Sequence, residues 1–315
     1  MSGPLVSAII PTYRRPRLLE RSLGSVLRQT YRPLELVVID DGSGDETPEV
    51  LASFAPRVKE AGVEFNWFSK ENGGPAAARN AGMERANGEF FAFLDDDDRW
   101  YPQKLETQLA MMRTHPQAGV SFTRYVHEGK EDQPKPKPGQ MRDGWVFDTL
   151  CGGQTRAHMQ TLVVSRDVQR RVGGFVDARN WEDSDWQLRL SLETEFLAVL
   201  EPLTVICTVE SSISREAGLE GDLQRDREKL RLLDELVAEH GGHPRFSPEA
   251  VKLLRARIYD EHVKHLIWLG RVDQAREAWR QALDECGEQP LLAQLKSKLA
   301  RARVAGWFGR RLKKP

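Results

Sequence analysis

Asp95, Asp96, Asp97 and Asp98 stand in a row directly behind the apolar run Phe90-Phe91-Ala92-Phe93-Leu94. A short unbroken apolar run reads as a buried strand. Four carboxylates at its exposed end repel one another unless something positive sits among them. Carboxylates facing one point suit a hard divalent cation, Mn²⁺ or Mg²⁺, which takes further oxygens from a substrate phosphate. A solvated acidic turn is the plainer alternative. The strand placement and three further motifs argue against it.

The first of these is Asp40-Asp41-Gly42-Ser43, which closes a second apolar run, Leu34 to Ile39. An Asp just past a strand can accept hydrogen bonds from a base or a ribose, and Asp41 is expected to do so. Ser43 or Asp45 is better placed to cap a helix beginning near Thr47. The second motif is Gly73-Gly74 ahead of the Ala-rich stretch Ala76 to Ala86. Two glycines let backbone approach a ligand closely. Arg79, one turn into that helix, could meet a diphosphate or orient the acidic loop; pairing with a nearby acid at the surface is the alternative. The third is Trp181-Glu182-Asp183-Ser184-Asp185-Trp186, with Trp186, Leu190 and Glu193 at helical spacing. Acids at a helix start are favoured by the helix dipole. Beside an anionic nucleotide, one of them could also serve as a general base.

These groups need elements to hold them. Strand-like runs at Leu5–Ile10, 34–39, 63–68, 90–94 and 120–126 alternate with helix-like segments from Pro16, near Thr47, at 76–86 and from Pro102 to about Thr114. Such alternation predicts an α/β fold, a largely parallel sheet flanked by helices. Parallel sheets bind ligands at the carboxyl ends of their strands, where Asp40-Asp41 and Asp95 to Asp98 would meet. Segment 128–143, rich in Pro, Lys, Gly and Asp, reads as a mobile loop. His158–Val164 and 203–209 read as strands, Val172 to Phe175 as a turn, and Asp183–Leu192 as a helix. From about Glu220 the pattern is helical throughout. The expected domains are therefore 1–215, α/β and catalytic, and 216–315, helical with a basic tail. Small residues around Trp268-Leu269-Gly270, followed by Ala275, Ala278 and Ala282, have the spacing of one tetratricopeptide-type helix pair, but such repeats need about three units, so a plain helical cap is expected in preference to a docking surface.

With 315 residues, 40% hydrophobic and 30% charged, the composition is that of a globular protein. A net charge of −1 offers no field to recruit nucleic acid. Cys151, Cys207 and Cys286 lack the paired spacing of a disulfide framework or zinc knuckle. No signal peptide and no membrane span are read, so a cytoplasmic location is expected.

Together, Ser7 to Tyr13, Val38-Ile39-Asp40-Asp41-Gly42-Ser43, Ala77-Ala78-Arg79-Asn80, Phe93 to Asp98, Gly173-Gly174-Phe175 and Glu182-Asp183 resemble the inverting glycosyltransferases of family 2. The resemblance covers roughly residues 5–215. It implies the nucleotide-sugar-binding fold called GT-A, a nucleoside diphosphate sugar donor (most often UDP-linked), a hydroxyl acceptor that is a saccharide or lipid-linked, and Mn²⁺ or Mg²⁺. It also implies residue roles. Pro11, Thr12, Tyr13 and Asp41 would hold base and ribose. Arg79 would lie near the base and diphosphate. Asp95 and Asp97 match the Asp-x-Asp motif, with Asp97 the direct metal ligand, and Asp96 would face the ribose or the metal. Asp183 would be the catalytic base, with Glu182 near the acceptor. Many members carry Asn where Arg14 follows Tyr13, and a His-containing segment where this chain reads Cys207-Thr208-Val209-Glu210-Ser211. His158 is not assigned, since a lone histidine is more often structural.

Other classes fit less well. An aspartyl phosphatase wants Asp-x-Asp-x-Thr, but Arg99 and Trp100 follow Asp98. A nucleotidyltransferase wants glycines where Pro11-Thr12-Tyr13-Arg14-Arg15 stands. The remaining alternative is a non-catalytic nucleotide-binding scaffold that docks partners through its helical region. Residues 296–314 mix Lys and Arg with Trp307 and Phe308, which reads either as a solvated basic helix or disordered end or as a segment for peripheral contact with an anionic membrane face.

Overall fold

The computed structural model describes residues 3–178, 181–207, 218–307, 312 and 314. The chain forms two compact units, Met1–Val146 with Gly153–Glu210, and Phe147–Gly152 with Ser211–Pro315. The boundary expected at 215 lies outside the described residues.

The first unit opens with β1 (Val6–Thr12), α1 (Pro16–Leu27), β2 (Leu34–Asp40), α2 (Thr47–Glu60), β3 (Glu64–Ser69), α3 (Gly74–Arg85) and β4 (Phe90–Phe93). These four strands run parallel in the order β3-β2-β1-β4. All seven residues of β2 are buried, as an apolar run covered on both faces requires. Proline at the start of α1 fits the first helical turn, and Leu19, Leu23 and Val26 face the core. Helix α3 lies against the sheet because Gly82 has no side chain: a Cβ there would sit 2.6 Å from Ile39 and 2.7 Å from Ile9. The chain steps outward from β1 to β2 and β3, then returns to the other side of β1 as β4. The sheet thus reverses direction between β1 and β4, the place where open α/β sheets bind ligands.

Beyond β4 the sheet is mixed. The chain continues through β5 (Arg99–Trp100), α4 (Lys104–Thr114), β6 (Ala118–His127), β7 (Lys130–Lys135), β8 (Val163–Ser165), α6 (Arg166–Val172), α7 (Glu182–Glu193) and β9 (Glu195–Ile206), while α5 (Phe147–Gly152) belongs to the second unit. Strand β8 is antiparallel to both β4 and β6, whereas β9 is parallel to β6. The segment read as a mobile loop in fact contains β7, paired with β6 across a turn at Gly129, φ 76°. Its residues are mostly exposed, so no apolar alternation marks it. The run from His158 holds a 3₁₀ turn (Met159–Thr161) and only a three-residue strand. The last strand begins at Glu195 rather than 203. Helix α6 precedes the Gly173 turn, capped by Ser165, whose Oγ accepts from Val168 N.

The second unit contains α5 (Phe147–Gly152), α8 (Gly218–His240), α9 (Pro248–Trp268), α10 (Val272–Cys286) and α11 (Pro290–Trp307). Ala256, Ala275, Ala278 and Ala282 are buried in its core. The Arg257 guanidinium donates to the Cys151 carbonyl at 2.7 Å, which ties α5 to α9. Of the tail, Leu312 packs against this core, and Lys314 Nζ lies 3.3 Å from Asp222. The other tail residues from Phe308 lie outside the described residues. No described helix is long and apolar enough to cross a membrane.

Asp226 is 1% exposed in this core. His265 Nδ1 lies 2.7 Å from its Oδ2, His262 Nδ1 3.8 Å, and Lys229 Nζ 3.4 Å from Oδ1. Burial alone would raise the Asp226 pKa, but the two histidines and Lys229 hold it well below the usual carboxylate range. A folded pKa below the unfolded one stabilises above about pH 4 and is lost as the pH falls further. Asp226→Asn is therefore expected to cost about 2 kcal/mol at neutral pH and to flatten the acid limb of the stability curve. Urea unfolding across pH 3–7 checks this; a variant as stable as the parent at pH 7 would contradict it.

Candidate active site

The reversal point brings the end of β1 against the acidic turn after β4. Asp96 is buried there. Thr12 Oγ1 donates to its Oδ2 at 2.8 Å, and Tyr13 N at 3.4 Å. Arg15 Nη1 bridges Asp96 Oδ1 (3.3 Å) and Asp97 Oδ2 (2.9 Å). The turn is clamped from behind by the Ser22 hydroxyl, which lies 2.8 Å from the Asp96 carbonyl and 2.7 Å from that of Asp98. Asp98 Oδ1 accepts from Cys207 N at 2.8 Å.

Ligand oxygens of Asp95, Asp97 and Asp98 all lie within 4.8 Å of one another. Burial pushes Asp98 up to about 9, with Asp95 adding to it and the Cys207 N–H opposing it. Burial also pushes Asp96 to about 6 against Arg15 and Thr12, and burial and Asp95 raise Asp97 despite Arg15. Arg15 and Arg79 offset part of the carboxylate charge, yet the carboxylates outnumber them, and an all-oxygen set suits a hard dication. The residues therefore fit Mn²⁺ or Mg²⁺. Asp98, absent from the expected ligand pair, completes this trio, while Asp96 is engaged with Thr12 and Arg15 instead.

Arg79 joins this cluster to α7. It is 4% exposed. Its Nη2 lies 2.9 Å from Asp95 Oδ1, and its Nη1 2.9 Å from Asp183 Oδ1 and 3.6 Å from Glu182 Oε1. Burial would lower the guanidinium pKa, yet Asp183, Asp95 and Glu182 raise it. The neighbouring motif residues hold α7 in place. Asn80 exchanges two hydrogen bonds with Phe175, both 2.8 Å, and a Cβ at Gly174 would sit 2.5 Å from Asn80 Oδ1. Trp186, fully buried, packs on Phe93 and Phe175 with ring centroids 5.4 and 4.4 Å away. Asp183 itself stays at the rim, its side chain 36% exposed. Enclosure raises its pKa; Arg79 opposes, Asp95 adds, and His158 opposes.

Arg79→Met would leave three carboxylates without this cation. Glu182 is buried, but Asp95 and Asp183 are partly exposed, so urea denaturation should show a loss of about 2 kcal/mol, below the roughly 3–5 of a fully buried pair. A loss below about 1 kcal/mol would contradict the bridge.

Asp41 has a different setting from the one expected. Its carboxylate accepts from Lys70 Nζ (2.8 Å), Gly73 N (3.0 Å) and Gly74 N (2.7 Å). These three donors take up most of the roughly four lone-pair sites of the carboxylate, so Asp41 shapes the glycine turn that starts α3 and keeps about one site for a ligand. Asp41 N donates to the Thr12 carbonyl at 2.9 Å, which holds the ends of β1 and β2 together. Asp45 is not the cap: it accepts from Thr47 N at 3.0 Å in a turn ahead of α2, whose N-cap is Glu46 without a side-chain bond. Pro11 and Tyr13 are partly exposed at the mouth. The sequence motifs single out neither Arg15 nor, within the acidic run, Asp98 as a ligand. The available signal for Arg15 was a cation in the turn beside an acidic run.

The glycosyl transferase family 2 model matches residues 7–196, more than half of the chain, and the chain belongs to that family. Among curated relatives it is 38% identical over 134 residues to the putative teichuronic acid biosynthesis glycosyltransferase TuaG of Bacillus subtilis, 42% of this chain and 52% of that protein. It is 42% identical over 113 residues to the Escherichia coli UDP-Glc:alpha-D-GlcNAc-diphosphoundecaprenol beta-1,3-glucosyltransferase WfgD, 36% of this chain and 42% of that protein. The matched stretch spans 32% of a Rickettsia typhi relative and 44% of a Haemophilus influenzae one, less than half of either length. Among solved structures, Staphylococcus aureus TarS 1-349 in complex with UDP-GlcNAc gives a TM-score of 0.64 at 16% identity, covering 98% of this chain and 93% of that one. The Pyrobaculum calidifontis mannosyltransferase PcManGT, with GDP-Man and Mn²⁺, gives 0.62 at 18% identity, covering 96% and 83%. These likenesses show the fold, GT-A.

Proposed function

We propose that the protein is a metal-dependent inverting glycosyltransferase that moves a sugar from a nucleoside diphosphate sugar to an acceptor hydroxyl, in polysaccharide or glycoconjugate synthesis. One observation carries this reading: buried Arg79 ties the rim carboxylate of Asp183 to the Asp95 end of a three-carboxylate cluster. The proposed base and the proposed cation site are thereby held by different nitrogens of one guanidinium.

Asp183 takes the proton from the acceptor hydroxyl while that oxygen bonds to the anomeric carbon. The bond from that carbon to the diphosphate breaks on the opposite face, its electron pair leaving with the nucleotide, so the configuration inverts. Asp95, Asp97 and Asp98 would hold Mn²⁺ or Mg²⁺, which when bound stabilises the charge of the leaving diphosphate. Arg79 keeps Asp183 and Asp95 in register. Tyr13, with Pro11 at the mouth, would line the base, and Glu182 would stand near the acceptor. Asp41 would act on the nucleotide through the Gly73-Gly74 turn as well as directly. A UDP-sugar is the favoured donor, since WfgD and the TarS complex are named with UDP-sugars. A lipid-linked acceptor at the cytoplasmic membrane face suits the Lys- and Arg-rich stretch 296–314.

The test is nucleotide release from UDP-glucose, UDP-GlcNAc, GDP-mannose and a dTDP-sugar, followed by anion-exchange chromatography with and without Mn²⁺. Metal-dependent release from one donor class is expected. No release from any of them, by folded protein with a panel of sugar acceptors, would favour the scaffold reading.

A further inference from the structure

We propose that Gln160 is a positioning residue for Asp95, and that His158 locks its amide in the required orientation. This rests on the reading of the Asp95, Asp97 and Asp98 cluster as a cation site.

Gln160 is 3% exposed, in the 3₁₀ turn between β7 and β8. Its backbone is fixed from several sides. The carbonyl accepts from Trp100 Nε1 at 2.9 Å and Thr204 Oγ1 at 3.3 Å. The next carbonyl, of Thr161, accepts from Gln108 Nε2 at 3.0 Å. From this anchored turn the Gln160 side chain reaches Asp95: Nε2 donates to Asp95 Oδ2. The other oxygen, Oδ1, takes Arg79 Nη2 at 2.9 Å. Both Asp95 oxygens are thus held from the protein side, which fixes the orientation of this carboxylate in the cluster with Asp97 and Asp98.

The amide orientation follows from the chemistry of its two neighbours. An ionised carboxylate only accepts, so Gln160 must turn its NH₂ to Asp95. Its Oε1 then faces His158 Nδ1. That contact is a hydrogen bond only if Nδ1 carries the proton, which sets the His158 tautomer. The His158 ring is braced by Tyr125, with centroids 5.1 Å apart. A donor relay therefore runs from His158 Nδ1–H to Gln160 Oε1, and from Gln160 Nε2–H to Asp95. Partners that orient a ligating carboxylate in this way are worth roughly 10–100-fold in metal affinity.

The probe is Mn²⁺ titrated into full-length protein with saturating UDP, with free Mn²⁺ read by electron paramagnetic resonance. Gln160→Leu removes the donor to Asp95, and about tenfold weaker Mn²⁺ binding is expected. His158→Asn keeps an N–H where Nδ1–H stood, whereas His158→Ala does not. The asparagine variant should bind Mn²⁺ within about twofold of the parent, and the alanine variant like Gln160→Leu. Thermal midpoints measured alongside establish that each variant is folded. Parental Mn²⁺ affinity in Gln160→Leu, or equal impairment in both His158 variants, would overturn the positioning role. No Mn²⁺ binding by the parent protein would overturn the cation site itself, and the relay with it.

Discussion

Asp183→Asn is expected to lower the rate of transfer about 10³-fold, within the range general-base catalysis supplies, and to leave nucleotide affinity within about twofold. The substitution changes little else. Asparagine has the same shape, and its oxygen can still accept from Arg79 Nη1, which sits 2.9 Å from Asp183 Oδ1. It cannot take a proton. The raised Asp183 pKa has a kinetic consequence. A base must be ionised, so transfer by the parent enzyme should climb as the pH rises through a carboxylate pKa above the usual value of about 3.9. That acid limb should vanish from the residual activity of the variant. Near-normal transfer by Asp183→Asn would assign the base elsewhere.

Asp97→Asn carries the second large effect, on binding rather than chemistry. Removing one ligand charge from the trio should weaken metal-dependent nucleotide binding by more than the 10–100-fold typical of an outer partner, about 10³-fold. Binding measured without metal should be unchanged. A linked effect comes from Asp98, which burial and Asp95 push to about 9. At pH 7 it holds a proton that an incoming dication must displace. Mn²⁺ affinity should therefore rise with pH toward 9, and calorimetry in buffers of different ionisation enthalpy should show proton release. Unchanged Mn²⁺ dependence in Asp97→Asn would remove this residue from the site.

Much of the catalytic unit was legible in the sequence because its signals are local. Apolar runs such as Leu34 to Ile39 and Phe90 to Leu94 end in aspartates, and both are parallel strands flanking β1. The motifs at Arg79, Asp95 and Asp183, far apart in the chain, meet at one guanidinium. What escaped was set by tertiary contact. Strand β7 carries no apolar pattern, since it pairs only with β6. Helix α5 follows Val146 in the chain yet belongs with the helical unit. Asp98 reads like its three neighbours in sequence; burial and the Cys207 N–H set it apart. Asp41 was expected to face a ligand, and only the fold reveals that Lys70, Gly73 and Gly74 surround it. Gln160 looked like an ordinary strand residue until the turn at Met159–Thr161 aimed it at Asp95.

The measurement that tests the central claim most directly is calorimetric titration of the parent protein with UDP, GDP and dTDP, each with and without Mn²⁺. The account predicts tight binding of one nucleotide, UDP foremost, that is lost when Mn²⁺ is withheld. Binding of equal strength without metal, or no binding of any nucleotide by folded protein, would contradict it.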